Sequence, residues 1–500
     1  MQQQRKFKIL IVGGGTAGWM TAASLSKHYG KQADICLIES SDIPAVGVGE
    51  ATIPTIRHFY QGLGISDQEV ISTAEATCKL GIEFNGWNRD GECFFHPFGV
   101  FGQSMAGVEF HHYWLKRQRA GDTDNFWEYS LATQMAKSDR FALPAEHPRT
   151  ELSVFDWALH IDAGLFAGLM KRKALANGVE HIDGLVDKVR LRDDGDIDNV
   201  LLCNGQIVYA DLFVDCSGFN GLLIEQALHT GYQNWQQWLL CDSAWVLQSQ
   251  SQQPLSPYTK VTAEDAGWRW NIPLQHRMGQ GHVYSSQYMT EESALDTLLQ
   301  QAGSSIVKDP RRLEFVPGRR NKAWHKNCVA IGLSAGFLEP LESTSIALIQ
   351  TGIERLVASL TSFNIHQSVK DEFNHTTEQE YCRVRDFIIL HYKLNNRPAQ
   401  QAFWRYCRDM ALPQELQHKL DLYQASGYLV NYRWEIFHQP SWLAILFGFD
   451  CYPQSYDQRT DSLVDQSTLL NVMDKMKGNI SKSLDKTIPH HDFIRQHCRT

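Results

Sequence analysis

The chain has 500 residues, room for two to four domains or one large enzyme with an inserted second domain, and its 43% hydrophobic and 21% charged residues suit a globular protein with a substantial core. Its 47 basic and 56 acidic side chains leave a net charge of -9, and no basic run is interleaved with aromatics, which argues against a nucleic-acid or membrane-surface partner. The 11 cysteines are scattered singly, with no C-x-x-C pair and no zinc spacing, so no metal is expected and the thiols read as reduced, in a cytoplasm.

In chain order, Met1 to Lys6 only faintly resembles a signal n-region, because glycines soon break the apolar stretch that follows; no run of about 18 apolar residues predicts a membrane span anywhere. Phe7 to Val12 is predicted as a strand, Thr16 to Tyr29 as a helix through Ala17, Met20, Ala23 and Leu25, and Ala33 to Ile38 as a second strand closed by Glu39. Together they form a βαβ mononucleotide unit. Gly13, Gly15 and Gly18 let the backbone approach a pyrophosphate, the helix start at Thr16 and Ala17 stabilises its charge, and Glu39 can accept from a ribose hydroxyl.

Further on, Leu80, Ile82 and Phe84 alternate with Lys79, Gly81 and Glu83, which predicts one strand with its apolar face in the core. Taken alone, Lys79 is an ordinary solvated strand-end lysine. His96-Pro97-Phe98 can stack on a flat aromatic guest or simply pack as a loop. About residues 90 to 160 and 230 to 320 have mixed strand and loop signals with many aromatics, and read as substrate-side insertions. Asp211 to Gly218 and Asn327 to Gly336 are apolar strands ending in small-residue turns, and Gly267-Trp268-Arg269-Trp270-Asn271-Ile272-Pro273 puts two indoles on one strand face. Ser343, Thr344 and Ser345 precede a helical run from Ile346 to Leu360, where unpaired amides suit a small anion and the hydroxyls suit a helix cap. Helices are also predicted for Glu378 to Tyr392 and Gln401 to Met410, and the last twenty or so residues, with Lys482, Lys486, His490 and His491, as a loosely attached tail.

The two apolar strands resemble FAD-contacting strands of the large flavoprotein hydroxylase-like superfamily, where the segment from Gly47 through Gly49, Glu50 and Ala51 to Pro54 would line the flavin ring. That resemblance favours FAD over NAD and implies an α/β fold with α+β elements. A discontinuous Rossmann-type FAD domain would occupy 1-355, and a mainly helical region would cover the substrate site over 356-500. It adds Val186, Gly332, Leu333 and Ile346 to the expected cofactor-binding residues. No second glycine fingerprint for a nicotinamide cofactor is visible, so reduced flavin is expected from a separate NAD(P)H-dependent reductase.

G-W-x-W-x-I-P at Gly267 to Pro273 is the identifying motif of the flavin-dependent halogenases, and the chain resembles them from about Phe7 to Phe449. The resemblance includes G-G-G-T-A-G-W at Gly13 to Trp19, V-G-x-G-E-A-T-x-P at Val46 to Pro54, and E-P-L-E-S-T at Glu339 to Thr344. It implies Lys79 and Glu342 as catalytic residues, a halide near Thr344 and Ser345, and a passage lined by His96, Pro97, Phe98, Trp268, Trp270 and Ser343. FADH2, O2 and halide would yield hypohalous acid, which Lys79 hydrogen-bonds or takes up as a haloamine before a small electron-rich arene is substituted. Glu342 would position the lysine or oxidant, or take the ring proton, while the tryptophans keep substrate from the flavin.

Two departures matter. Many tryptophan-acting relatives have Gly in place of Ser345. Where those relatives grip the amino acid with an F-x-N-F-W-L-N-type segment, this chain reads Trp434-Glu435-Ile436-Phe437-His438-Gln439-Pro440-Ser441-Trp442-Leu443. The implied substrate is therefore an indole, a phenol or a larger arene before free tryptophan. Competing readings are an FAD-dependent aromatic monooxygenase and a non-catalytic flavin-binding protein. A homodimer is compatible with the chain.

Overall fold

A computed structural model describes residues 5–43, 49–145, 154–302 and 306–498; Val46, Gly47 and Val48 of the expected flavin-lining motif lie outside them. The described chain falls into two units. One comprises Met1–Ala76, Ile161–Val246 and Arg311–Cys382, and the other Thr77–His160, Leu247–Pro310 and Arg383–Thr500.

The first unit is built on the βαβ unit read from the sequence. Strand Phe7–Val12 lies between Ala33–Glu39 and Leu212–Asp215, parallel to both; Glu180–Asp183 continues the sheet on one side and Cys328–Ala330 on the other. Parallel strands with both faces covered are apolar throughout, as Ile9 to Val12 are here, at 0 to 2% exposure. Leu10, Val12, Ile38, Phe213 and Cys328 join the strand Ile197–Leu202 in one core cluster. Helix Thr16–Tyr29 packs on Ala163–Ala176 and on Ser345–Ser359. The predicted helix and both strands of the βαβ unit are present within a residue of their expected limits.

The second unit has a twisted sheet in which Arg277–Tyr284, Gly267–Pro273, Thr259–Glu264, Gly81–Asn85 and Cys93–Pro97 are successive neighbours, antiparallel except for the parallel pair Thr259–Glu264 and Gly81–Asn85. The strand expected to carry both Lys79 and Phe84 is two strands. Thr77–Lys79 pairs antiparallel with residues 158–160, and the chain turns at Leu80 into Gly81–Asn85 of the larger sheet. The alternation still holds for Leu80, Ile82 and Phe84, each with no exposed surface.

The C-terminal reading needs two corrections. The helix expected from Glu378 begins at Gln367 and runs to Lys393. The loosely attached tail is instead helix Gln466–Leu484, a short strand Ile488–Pro489 paired with Arg140–Phe141, and helix His490–His497. Phe493 and Ile494 anchor that last helix, with Phe493 edge-on to Phe141 at 4.6 Å. Two adjacent apolar residues in a short polar helix give no periodicity to read, although they are enough to bury one side of it.

One packing detail places the tryptophans. Trp270 lies opposite Gly281 in the register, and a Cβ on Gly281 would stand 2.0 Å from the Trp270 ring. The indole therefore lies flat over a neighbour that has no side chain. Gly281→Ala is expected to cost about 1–3 kcal/mol through overpacking. The urea midpoint of the variant checks it, and an unchanged midpoint would show that the ring is not confined there.

Candidate functional site

In the first unit, the glycines of the fingerprint divide three tasks. Gly13 has φ +114, and a Cβ there would meet the Cys216 carbonyl oxygen at 2.2 Å; a Cβ on Gly18 would meet the Gly13 oxygen at 1.8 Å. These two permit the tight turn and the close passage of neighbouring backbone. A Cβ on Gly15 would meet nothing within 4 Å, so the helix start beside Thr16 and Ala17 faces open space. No side chain caps that start. Glu39 stands at the end of its strand and accepts from Trp19 Nε1 (3.3 Å) and Lys171 Nζ (2.7 Å), with His181 Nε2 at 3.0 Å. A carboxylate offers about four lone-pair sites, so capacity for a hydroxyl remains. The uncapped amides, the open approach at Gly15 and the acid fit the pyrophosphate and ribose of FAD.

Gly332 (φ +76) belongs to the same framework, since a Cβ there would press on Ala17 at 2.9 Å and on Ile349 at 3.4 Å. Gly332 and Leu333 lie in one short turn, Ile346 is buried on Ser345–Ser359, and Ala51 ends the strand Gly49–Ala51. Val186 opens the strand Val186–Leu191, half-buried.

The helix Ser345–Ser359 starts at Thr344 without a side-chain cap, so the cap reading does not hold for the Thr344 hydroxyl. Thr344 has no exposed surface, and its Oγ1 finds no hydrogen-bond partner among the described residues. Such a group is costly unless something is there to receive it. Ser343 takes a left-handed conformation (φ 61, ψ 34) just before the helix, and Glu342 beside it is fully buried. Ser345 is the first helical residue, in a conformation open to any side chain, so its replacement of Gly leaves the amides in place.

In the second unit, Lys79 has no exposed surface and its Nζ lies 5.0 Å from the centre of the Phe98 ring. A buried ammonium over an aromatic face gains cation–π attraction in place of water. His96, also without exposed surface, is next to Phe98 (6.3 Å between ring centres), Phe387 (5.9 Å) and Phe437 (6.0 Å), and Pro97 ends its strand. The rings of Trp268 and Trp270 are 5.8 Å apart, both buried. The structure thus gathers Lys79, His96 and Phe98 in one neighbourhood and sets the indole pair on the large sheet of the same unit.

The strand bearing Lys79 is held by groups that sequence reading missed. Thr77 Oγ1 donates to the Pro273 carbonyl (2.6 Å), at the end of the tryptophan strand, and is 2.9 Å from His160 Nδ1; His160 Nε2 is 2.9 Å from Thr259 Oγ1. Cys78 N–H donates to His490 Nε2 (3.1 Å), and His490 Nδ1 is 2.8 Å from the Leu255 carbonyl. Burial, then the neighbouring Lys79 and His490, pushes His160 well below the ordinary histidine range. His490 is lowered to about 4, chiefly by burial, with His491 adding to it and the Leu255 carbonyl opposing it. Thr77 and His160 had a faint signal as polar residues in apolar strands. His490 had none, lying 412 positions from Cys78.

Among the described residues no group of three or more His, Cys, Asp or Glu is arranged for a metal ion, and no helix is long and apolar enough to cross a membrane.

The family model described as "Tryptophan halogenase" matches residues 8–465. The chain belongs to the tryptophan halogenase family. It is 35% identical to the tryptophan 6-halogenase SttH of Streptomyces toxytricini over 84% of each chain, and 32% identical to the tryptophan 7-halogenase RebH of Lentzea aerocolonigenes over 98% of each. The solved structure of BrvH, a flavin-dependent halogenase from Brevundimonas sp. BAL3, superposes with a TM-score of 0.94 at 49% identity, covering 99% of both chains. This halogenase is accordingly an FADH2-dependent oxidoreductase, with FAD, O2 and a halide as its co-reactants.

In this halogenase the segment after Trp434 is committed elsewhere. Glu435 Oε1 receives Lys419 Nζ at 2.5 Å and Oε2 accepts from Tyr432 N (3.2 Å), while Lys419 lies 3.9 Å over the Trp442 ring. Phe437 stacks on Phe387 at 4.1 Å.

The pH response follows from His490. Its folded pKa lies below its unfolded value, so the stability it contributes is complete above about pH 6.5 and is lost as pH falls toward 4. Urea midpoints should fall across that window, and His490→Gln should flatten the slope by up to about 1.4 kcal/mol per pH unit. An identical slope in the variant would contradict the assignment.

Proposed function

We propose that this halogenase substitutes an electron-rich, indole-type arene beside Lys79, without gripping an amino-acid backbone. The observation that carries the reading is a fully buried lysine amine against Phe98, next to His96, in the unit that also holds the Trp268 and Trp270 pair. Reduced FAD, with O2 and halide, supplies hypohalous acid.

Thr344 Oγ1 and the free amides of the helix start at Ser345 hold the halide, the hydroxyl as a donor with no other partner among the described residues. The Gly13 to Gly18 turn and Glu39 hold the dinucleotide, with Gly49, Ala51, Val186, Gly332, Leu333 and Ile346 around it. Lys79 receives the oxidant: its ammonium polarises the O–halogen bond as a donor, or its neutral amine takes the halogen. By the family resemblance Glu342, fully buried in the first unit, is the second catalytic residue. By the same resemblance Trp268 and Trp270, buried side by side, suppress direct oxygen transfer to the arene. His96, Pro97 and Phe98 give the arene flat faces.

Relatives named for tryptophan suggest an indole nucleus, while Glu435, neutralised by Lys419, is unsuited to binding a substrate ammonium. The sequence carries one dinucleotide fingerprint, so a separate NAD(P)H-dependent reductase provides FADH2.

With a reductase, NADH, FAD and bromide, indole should be brominated with a higher kcat/KM than tryptophan; hydroxylated indole without a brominated product would overturn the reading. Lys79→Ala should lower arene halogenation at least about 100-fold while bromide oxidation continues, measured with an arene-independent hypohalite trap. Thr344→Val should raise the halide KM roughly tenfold, the size of one hydrogen bond to an anion, with indole KM unchanged.

A further inference from the structure

A lysine amine sits at the end of a four-carbon stem, so where it stands depends on the backbone at its root. Thr77–Lys79 is only three residues long and pairs with 158–160 along one edge. Along its other edge the Cys78 N–H meets a side chain instead of a strand, the imidazole of His490 at 3.1 Å, and the next amide, of Leu80, meets the Pro257 carbonyl at 2.7 Å. His490 is the first residue of helix His490–His497 and has no exposed surface. Its ring bridges two segments: Nδ1–H donates to the Leu255 carbonyl, and Nε2 accepts from Cys78, the residue next to Lys79. Only the neutral ring with its proton on Nδ1 can make both bonds. The helix is itself fastened by Phe493 and Ile494, so the imidazole is a fixed post.

We propose that His490 is a positioning residue for Lys79, which makes the carboxy-terminal helix part of the halogen-transfer apparatus. The inference rests on the role of Lys79 given above. His490 does not touch oxidant or arene; it fixes the peptide from which the lysine side chain springs. Without it the Cys78 amide is a buried donor lacking its acceptor, and the edge of a three-residue strand shifts to find another. Displacement by about 1 Å at a reacting group is enough to cost on the order of 100-fold in rate.

The test separates positioning from simple stability. Three variants are purified as the full chain: His490→Leu, His490→Asn and His490→Gln. Gln carries an acceptor that reaches Cys78; Asn keeps only the donor toward Leu255. Each is assayed with reductase, NADH, FAD and bromide for two quantities, hypobromite captured by an added trap without arene, and bromoindole formed when indole is supplied. In the Leu and Asn variants the ratio of bromoindole to hypobromite should fall between about 10- and 100-fold, with hypobromite formation retained, and Gln should recover most of the ratio. The proposal is overturned if both quantities fall in proportion, if the ratio is unchanged in Asn, or if Gln is no better than Asn. Should Leu not fold, the Asn and Gln pair alone decides. Lys79→Ala is assayed alongside: bromoindole at the parent level there would refute the role of Lys79 itself, whatever the His490 variants do.

Discussion

A primary amine buried without any exposed surface is the constraint around which the second unit is arranged. Removing an ammonium from water costs several kcal/mol, and the fold must answer with groups that either attract the charge or tolerate it. Phe98 presents its ring face to Lys79 at 5.0 Å. The two histidines nearest the strand are kept neutral by burial, and His160 is lowered further by the lysine charge. Neutrality is useful to them, because each can then accept on one ring nitrogen while donating on the other. The result is a short strand tied down beyond its backbone ladder: the Thr77 hydroxyl donates to the Pro273 carbonyl and meets His160, and the Cys78 N–H donates to His490. A lysine destined for water needs none of this.

The first unit is governed by the opposite charge. Two helices, Thr16–Tyr29 and Ser345–Ser359, begin without a side-chain cap and pack on one another, with Gly332 lying against both Ala17 and Ile349. Helix starts of this kind present donors with no intrahelical acceptor, and their dipoles favour anions. One start faces open space above Gly15, suited to a pyrophosphate; the other has the buried Thr344 hydroxyl beside it, suited to a smaller ion. Because a glycine without a side chain joins the two helices, the two starts belong to one packed piece and keep their spacing.

The proposed preference for a flat arene rests on what has been committed to packing. Glu435 could have served an ammonium group, yet Lys419 neutralises it beneath Trp442, and Phe437 stacks on Phe387 beside His96. The acid and the aromatics are committed to one another instead of to a clamp. A flat apolar arene suits the proposed site, since it brings no charge that needs a partner.

Much of this could be read without coordinates wherever the information was local. The βαβ unit was legible because strand, turn and helix are each specified by neighbours within a few positions, and the limits of Thr16–Tyr29 matched. Lys79, Glu342 and the tryptophan pair were picked out by motif resemblance, and Leu80, Ile82 and Phe84 by their period of two. The break of one expected strand into two at Leu80 was not legible, since alternation continues through it while the hydrogen-bond partners change from residues 158–160 to the large sheet. Nor was the place of Gly281 under Trp270, which depends on strand register, or that of His490, which reaches Cys78 across 412 positions from a segment that reads as a polar tail. The amino-acid order by itself determined the cofactor unit and the kind of chemistry, because backbone propensity and short motifs act over one or two turns of chain. Only the tertiary structure decided how the lysine is buried and by what it is held, because desolvation and hydrogen bonding depend on which distant groups the fold brings within 3 Å.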